Sequence, residues 1–222
     1  MKISLFLLAI CLCIVNISGQ KNDEKSIFWE FTESRNGGEK SISKVGSKVE
    51  ITSGAETDFF IEPGLPPYEK ANAPLILKTV DNRKPFTFSF KTTPVHKIKY
   101  DAGMAFIYVD DKHWLKFAFE ADERMNKRLV TVKTKDFSDD NNHDALKSPS
   151  VFMKISSDTK VIGFYYSIDG KSWQLVRVFK NEYPPAIKIG VGSQSPMGKG
   201  NKSVFEQFQF SETSVKDFRM GI

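Results

Sequence analysis

The stretch from Tyr100 to Asp139, YDAGMAFIYVDDKHWLKFAFEADERMNKRLVTVKTKDFSD, leaves the chain few ways to fold. It divides into three β-rich runs, Ala102–Asp110, Trp114–Ala121 and Leu129–Asp136, joined by short polar segments. That pattern predicts three strands paired as an antiparallel meander. In the middle run Leu115, Phe117, Phe119 and Ala121 alternate with Trp114, Lys116, Ala118 and Glu120. Successive side chains on a strand point to opposite faces. The first set is therefore expected to face a core. The second places an indole, an ammonium and a carboxylate on one surface, and that surface is the candidate site.

Similar signals recur on both sides of the meander. Lys48–Ile51, Leu75–Val80 and Phe86–Thr92 precede it, and Ser26–Phe31 reads as a first strand. Val151–Ser156, Val161–Ile168, Trp173–Phe179, Ala186–Gly192 and Val204–Phe210 follow it. Asn36-Gly37-Gly38 signals a turn, and Asp169-Gly170 a tight hairpin. The prolines of Pro63–Tyr68 remove backbone donors and predict a surface loop. Asp139–Pro149 reads as a polar loop, and Met125–Leu129 as a helical turn at most. No segment carries a sustained helical period. The expected fold is all-β, an antiparallel β-sandwich or jelly roll, with nineteen phenylalanines to fill its inter-sheet core. No break in composition divides residues 20–222, so one domain is expected there.

Residues 1–19 read as a signal peptide. Lys2 supplies the positive start, Ile3–Val15 the apolar run and Asn16–Gly19 the small residues for cleavage. The run is shorter than the roughly 20 residues of a spanning helix. The expected product is secreted or periplasmic, with no membrane insertion in the mature form. Cys11 and Cys13 follow Ile10 and Leu12 rather than a small residue, which argues against a lipoprotein. Both would leave with the signal, excluding disulfides, cysteine catalysis and thiolate metal sites. Loss of Lys2 leaves 31 basic against 27 acidic residues, interspersed along the strands rather than clustered with aromatics. Lysines so placed discourage edge pairing and do not form a nucleic-acid groove.

Several motifs together carry a family resemblance. They are Asp101-Ala-Gly-Met-Ala-Phe106, Trp114-Leu-Lys-Phe-Ala-Phe-Glu120, Val132-Lys-Thr-Lys-Asp-Phe-Ser-Asp139, Phe164-Tyr-Tyr-Ser-Ile-Asp-Gly-Lys-Ser-Trp173, Val176-Arg-Val178 and Gly190-Val-Gly-Ser-Gln-Ser-Pro196. Their succession resembles an uncharacterised bacterial and fungal domain family related to the "regulation of enolase" proteins. That family is placed among the concanavalin A-like lectins and glucanases, and the resemblance runs from about Asp58 to Phe210. It implies an antiparallel sandwich with one concave sheet. The superfamily holds glycan binders, glycosidases and domains that do neither. The export segment departs from cytosolic members and argues against an enolase-regulating role.

Sugar binding requires an aromatic ring for stacking and a few polar groups for the hydroxyls. Trp114 is the expected stacking residue, with Lys116, Glu120, Tyr165, Arg177 and Gln194 in support and carbohydrate as the partner. The plainer reading makes Trp114 packing and pairs Glu120 with Arg177 or a lysine. Glycoside hydrolysis requires two carboxyl groups flanking one bond. Glu120 is one candidate, with Asp136 or Asp139 as its partner. Arg124 and Met125 occupy the positions where related glycosidases carry a third acid after Asp122, so the pattern favours binding over hydrolysis. No cofactor is expected, unless calcium binds the oxygen-rich loop holding Asp139, Asp140 and Asp144. The loop lacks EF-hand spacing, and solvation explains it as well. His96, His113 and His143 are dispersed, and no Gly-x-Ser-x-Gly elbow occurs. A third reading is a structural or interaction domain of the cell envelope, in which the concave face would be filled and hold no pocket.

Overall fold

A computed structural model describes residues 31–64 and 68–222. The expected signal segment, Cys11, Cys13 and the expected strand Ser26–Phe31 up to residue 30 lie outside the described residues. The chain opens with β1 (Glu33–Arg35), a single helical turn α1 (Gly38–Ser41), β2 (Ile42–Val45) and β3 (Lys48–Thr52). Two short strands follow, β4 (Phe59–Ile61) and β5 (Glu69–Ala71), then β6 (Leu75–Asp81) and β7 (Phe86–Pro94). The meander is β8 (Ala102–Asp110), β9 (His113–Ala121), β10 (Lys127–Lys135) and β11 (Phe137–Ala145). The last strands are β12 (Val151–Ser157), β13 (Val161–Ser167), β14 (Gln174–Lys180), β15 (Ala186–Gln194) and β16 (Lys202–Ser211).

They form two seven-stranded antiparallel sheets. The first has the order β1-β6-β15-β8-β9-β10-β11, the second β14-β13-β12-β7-β16-β3-β2. The inner faces meet in one apolar core. Leu115, Phe117 and Phe119 of β9 project into it, as do Phe88 and Phe90 of β7 and Ile162 and Phe164 of β13. The rings of Phe117 and Phe164 stack across the sandwich with centroids 5.1 Å apart. Gly190 and Gly192 lie on the opposite side of β15 from its core residues; a Cβ at Gly190 would stand 2.0 Å from the Ile76 carbonyl oxygen.

The outer face of the first sheet is covered as well. The β4–β5 hairpin lies over it and forms a second apolar cluster with Leu75, Leu77, Met104, Phe106, Tyr108, Val130 and Val132. Phe59 is its centre, with ring centroids 4.9 Å from Phe106, 5.4 Å from Trp114 and 6.4 Å from Tyr108. Polar ties that fix the hairpin include an isolated bridge between Thr57 and Ser195 and a hydrogen bond of 2.9 Å from the Ile61 amide to Ser138 Oγ. Every residue from Trp114 to Ala121 is consequently buried.

The alternation along β9 holds as expected, but its second face is not an open surface. Trp114 is fully buried beneath Phe59 and is not available for stacking. Asp139–Pro149 is not simply a loop, because Phe137–Ala145 pairs with β10 as the edge strand. Its Asp-Asp-Asn-Asn run has low strand propensity, yet one hydrogen-bonded neighbour suffices at an edge, where charge also discourages further pairing. Met125–Leu129 forms no helix: Asp122 accepts hydrogen bonds from the Arg124 and Asn126 amides, closing a turn that leads directly into β10. Asp169-Gly170 makes the expected turn, with Gly170 at φ 75° and Asp169 Oδ1 accepting from the Lys171 and Ser172 amides.

The Nε1–H of Trp114 is buried and finds no acceptor among the described residues, so the ring contributes packing alone. Trp114→Ala is expected to lower stability by about 3–5 kcal/mol in urea titrations. Trp114→Phe keeps much of the ring and removes the unmatched donor, and is expected to cost less than half as much. Equal losses in the two variants would contradict a packing role.

Candidate functional site

Two polar side chains of β9, Lys116 and Glu120, lie on the outer face, where the hairpin makes them almost inaccessible (3% and 7% exposed). Burying such groups is unfavourable unless partners replace water. Small neighbours make room for those partners. Ala118 separates Lys116 from Glu120 along the strand, and Ala102 of β8 lies between Glu120 and Gln194 of β15. The Gln194 side chain crosses Ala102 and donates from Nε2 to Glu120 Oε2 at 3.2 Å and to the Tyr100 carbonyl at 3.1 Å. Lys116 Nζ reaches Gln194 Oε1 at 3.3 Å and Asp58 Oδ1 at 3.5 Å. Asp58 also accepts from the Phe59 amide at 2.7 Å and from the Tyr68 hydroxyl at 3.1 Å. The result is a continuous polar string, Tyr68–Asp58–Lys116–Gln194–Glu120.

The string lines a cleft of about 370 Å³ between the hairpin and the sheet. Phe60, Tyr68 and Tyr100 supply aromatic surface, and Glu62, Glu123, Asp140 and Asn142 supply polar groups. Tyr100 sits in left-handed backbone, φ 69°. For a bulky residue that conformation costs about 1–3 kcal/mol, and such strain gathers at functional sites.

Burial raises the Glu120 carboxyl from 4.5 to about 8, the nearby acids Asp58, Asp140 and Asp122 adding to the effect and Lys116 opposing it. Glu120 is thus protonated at neutral pH. Asp140 is raised too, first by desolvation, with Asp139 and Asp58 contributing. The Tyr68 hydroxyl is pushed far up by burial and then by Asp58.

Of the residues expected from sequence, Lys116, Glu120 and Gln194 come together in this cleft. Trp114 lies in the packing beneath it. Tyr165 belongs to the second sheet, where it is buried and donates to the Phe218 carbonyl at 2.9 Å. Arg177 also belongs to that sheet and bonds Asp139 at 3.0 Å and Thr131 at 3.2 Å, so it does not pair with Glu120. Asp136 cannot be the second acid: the residue opposite Glu120 on β10 is Arg128, and Asp136 lies eight positions further on, about 26 Å at strand rise. Asp122 is turned into the β9–β10 turn and forms a salt bridge of 3.0 Å with Arg128.

The three proposed calcium ligands disperse. Asp139 goes to Arg177, Asp144 accepts from the Tyr166 hydroxyl at 2.7 Å, and Asp140 lines the cleft. Among the described residues no group of three or more His, Cys, Asp or Glu side chains could hold a metal ion. Asp58, Phe60, Glu62, Tyr68 and Tyr100 were not expected in the site. The Asp58-Phe-Phe-Ile61 run was the available signal, obscured by the prolines that follow it.

The raised carboxyl has a consequence for stability. Between about pH 4.5 and about pH 8 the unfolded chain has released a proton that folded Glu120 retains. Unfolding therefore becomes more favourable as pH rises through that window and levels off above it. Glu120→Gln should gain stability relative to the wild type across the same window in urea midpoints measured at several pH values. A difference that stays constant with pH would show that Glu120 titrates normally.

Comparison with known proteins places the fold. A functionally unknown protein from Saccharomyces cerevisiae is 20% identical, with 83% of this chain and 97% of that one covered and a TM-score of 0.73. The GH43 protein BlXynB from Bacillus licheniformis is 13% identical with a TM-score of 0.60; 78% of this chain covers 34% of it, about a third of that enzyme's length. Lectin I-B4 from Griffonia simplicifolia is 10% identical, covers 77% of this chain and 90% of its own, and has a TM-score of 0.51. These likenesses establish a shared β-sandwich fold. No curated protein matches the chain. The family described as "Protein of unknown function (DUF1349)" matches residues 36–213, and the chain belongs to that family.

Proposed function

We propose that this is an exported protein that binds carbohydrate in the cleft beneath the β4–β5 hairpin. The observation that carries the reading is the polar string along the cleft floor. A buried ion pair such as Lys116–Asp58 gives little net stability, so its retention favours a role in recognition. Glu120 held neutral can donate a hydrogen bond to a hydroxyl, Gln194 and Lys116 fix its direction, and Tyr68 and Tyr100 offer faces for a sugar ring. The volume falls within the roughly 300–1,000 Å³ of small-molecule sites. The fold shared with a lectin and a GH43 protein supports the reading by analogy, and the apolar run Ile3–Val15 supports export. An open cleft is also not what a filled face in a purely structural domain would give.

Glu120 favours a second reading, glycoside hydrolysis, because a carboxyl protonated at neutral pH is what a general acid requires. Asp140 would then be the second acid in place of Asp136. Release of reducing ends from a bound polysaccharide, abolished in Glu120→Gln, would select hydrolysis over binding.

The binding reading is tested by a glycan array followed by calorimetry on the bound sugar. Tyr68→Ala and Gln194→Ala are each expected to weaken binding at least tenfold, about 1.4 kcal/mol. Absence of any bound glycan, or full affinity in both variants, would overturn it.

A further inference from the structure

The charge of the cleft is opposite to that of the chain. The whole sequence carries +5, yet five carboxyl groups line the cleft (Asp58, Glu62, Glu120, Glu123 and Asp140) against one ammonium, Lys116. Lys116 is matched internally by Asp58 at 3.5 Å, and Glu123 is paired with Arg124 at the rim. Glu62 and Asp140 form no salt bridge among the described residues. Glu120, only 7% exposed, receives the Gln194 amide on Oε2. Its Oε1 accepts no hydrogen bond from the described residues, while the side chain lines the cleft. The negative potential is felt across the site. The Tyr100 hydroxyl is pushed up first by burial and then by Glu123, Glu120, Asp140 and Asp122 acting together.

Resting on the carbohydrate reading, we propose that the saccharide is cationic: an oligosaccharide with free amino groups, whose ammonium groups meet Glu120 and Asp140 at separate points along the cleft, beside the rings of Tyr68 and Tyr100. Carboxylates can accept from the hydroxyls of a neutral sugar, but only a cation is also drawn by their net charge, and a uronate would be repelled by it. An ammonium gains from both features of the wall, since carboxylates give charge-assisted hydrogen bonds and aromatic faces attract cations. The match also predicts a proton balance. Bringing a positive charge to protonated Glu120 favours its carboxylate, so binding at pH 6 releases a proton to the buffer. The amine of the ligand can itself take up a proton on binding, so the share of Glu120 is read as the difference between the wild type and Glu120→Gln.

The test is calorimetry on the full chain at pH 6 with three probes: fully deacetylated glucosamine oligomers, the same oligomers fully N-acetylated, and oligomers of a uronic acid. The deacetylated oligomers are expected to bind at least tenfold more tightly than the acetylated ones, and the uronic acid oligomers not measurably. The binding heat should change between buffers of different ionisation enthalpy, and Glu120→Gln should shift that dependence by the proton that Glu120 releases, whereas an unchanged dependence would contradict its part in binding. Glu120→Gln and Asp140→Asn should each reduce the preference for the amine to threefold or less. Asp140 lies on the edge strand β11, outside both apolar clusters, so its variant tests recognition with little effect on the fold. Equal or tighter binding of the acetylated or uronic acid probe, lost in Tyr68→Ala, would overturn the amine assignment and leave the carbohydrate reading standing. A full amine preference in both carboxyl variants would also overturn it. Failure of all three probes, with no glycan on the array, would overturn both.

Discussion

Strand β9 is covered on both faces, and this constraint shapes the rest of the molecule. A strand buried on two sides normally reads as a continuous apolar run, whereas β9 carries Lys116 and Glu120 on its outer side. The sandwich interior accounts for Leu115, Phe117 and Phe119 in the ordinary way. The outer side is closed by Phe59 against Trp114, Phe106 and Tyr108. The same contact that buries Trp114 brings Asp58, one residue earlier, to Lys116. The packing and the polar string are therefore set by adjacent residues, Phe59 and Asp58.

The polar string solves a desolvation problem without removing it. Lys116 has Asp58 and Gln194, but at 3.5 and 3.3 Å these are long contacts for an ammonium. Glu120 has one hydrogen bond and responds by keeping its proton. An apolar core of the same volume would be at least as stable. Groups held in a wall at that disadvantage, beside a residue in left-handed backbone, are what singles out this cleft as the candidate site.

Much of this was legible in the sequence. Period-2 alternation along Ala102–Asp110 and Trp114–Ala121 located the strands closely, because burial on one face of a sheet enforces it. It also places Lys116 and Glu120 on one side, and Gln194 is expected there as a polar neighbour. The errors have a common physical cause. Alternation tells which face a residue takes, but not what covers that face. Nothing in β9 announces that Phe59, more than fifty residues earlier, will sit on Trp114. Tyr165 and Arg177 are expected in the site but belong to the other sheet; strand order depends on long-range pairing that local periodicity does not encode. β11 was obscured because an edge strand can tolerate Asp139, Asp140, Asn141 and Asn142, whose propensities are those of a loop.

The central claim is that the polar string on the outer face of β9 contacts a saccharide. The side-chain amide of Gln194 reports on it most directly, because it bonds Glu120 on one side and receives Lys116 on the other. In ¹⁵N-resolved NMR spectra, titration with a bound oligosaccharide should shift the Gln194 amide resonances saturably, with the same dissociation constant as calorimetry. An unshifted Gln194, with perturbations gathered instead around Tyr165 and Trp173 on the second sheet, would contradict the account.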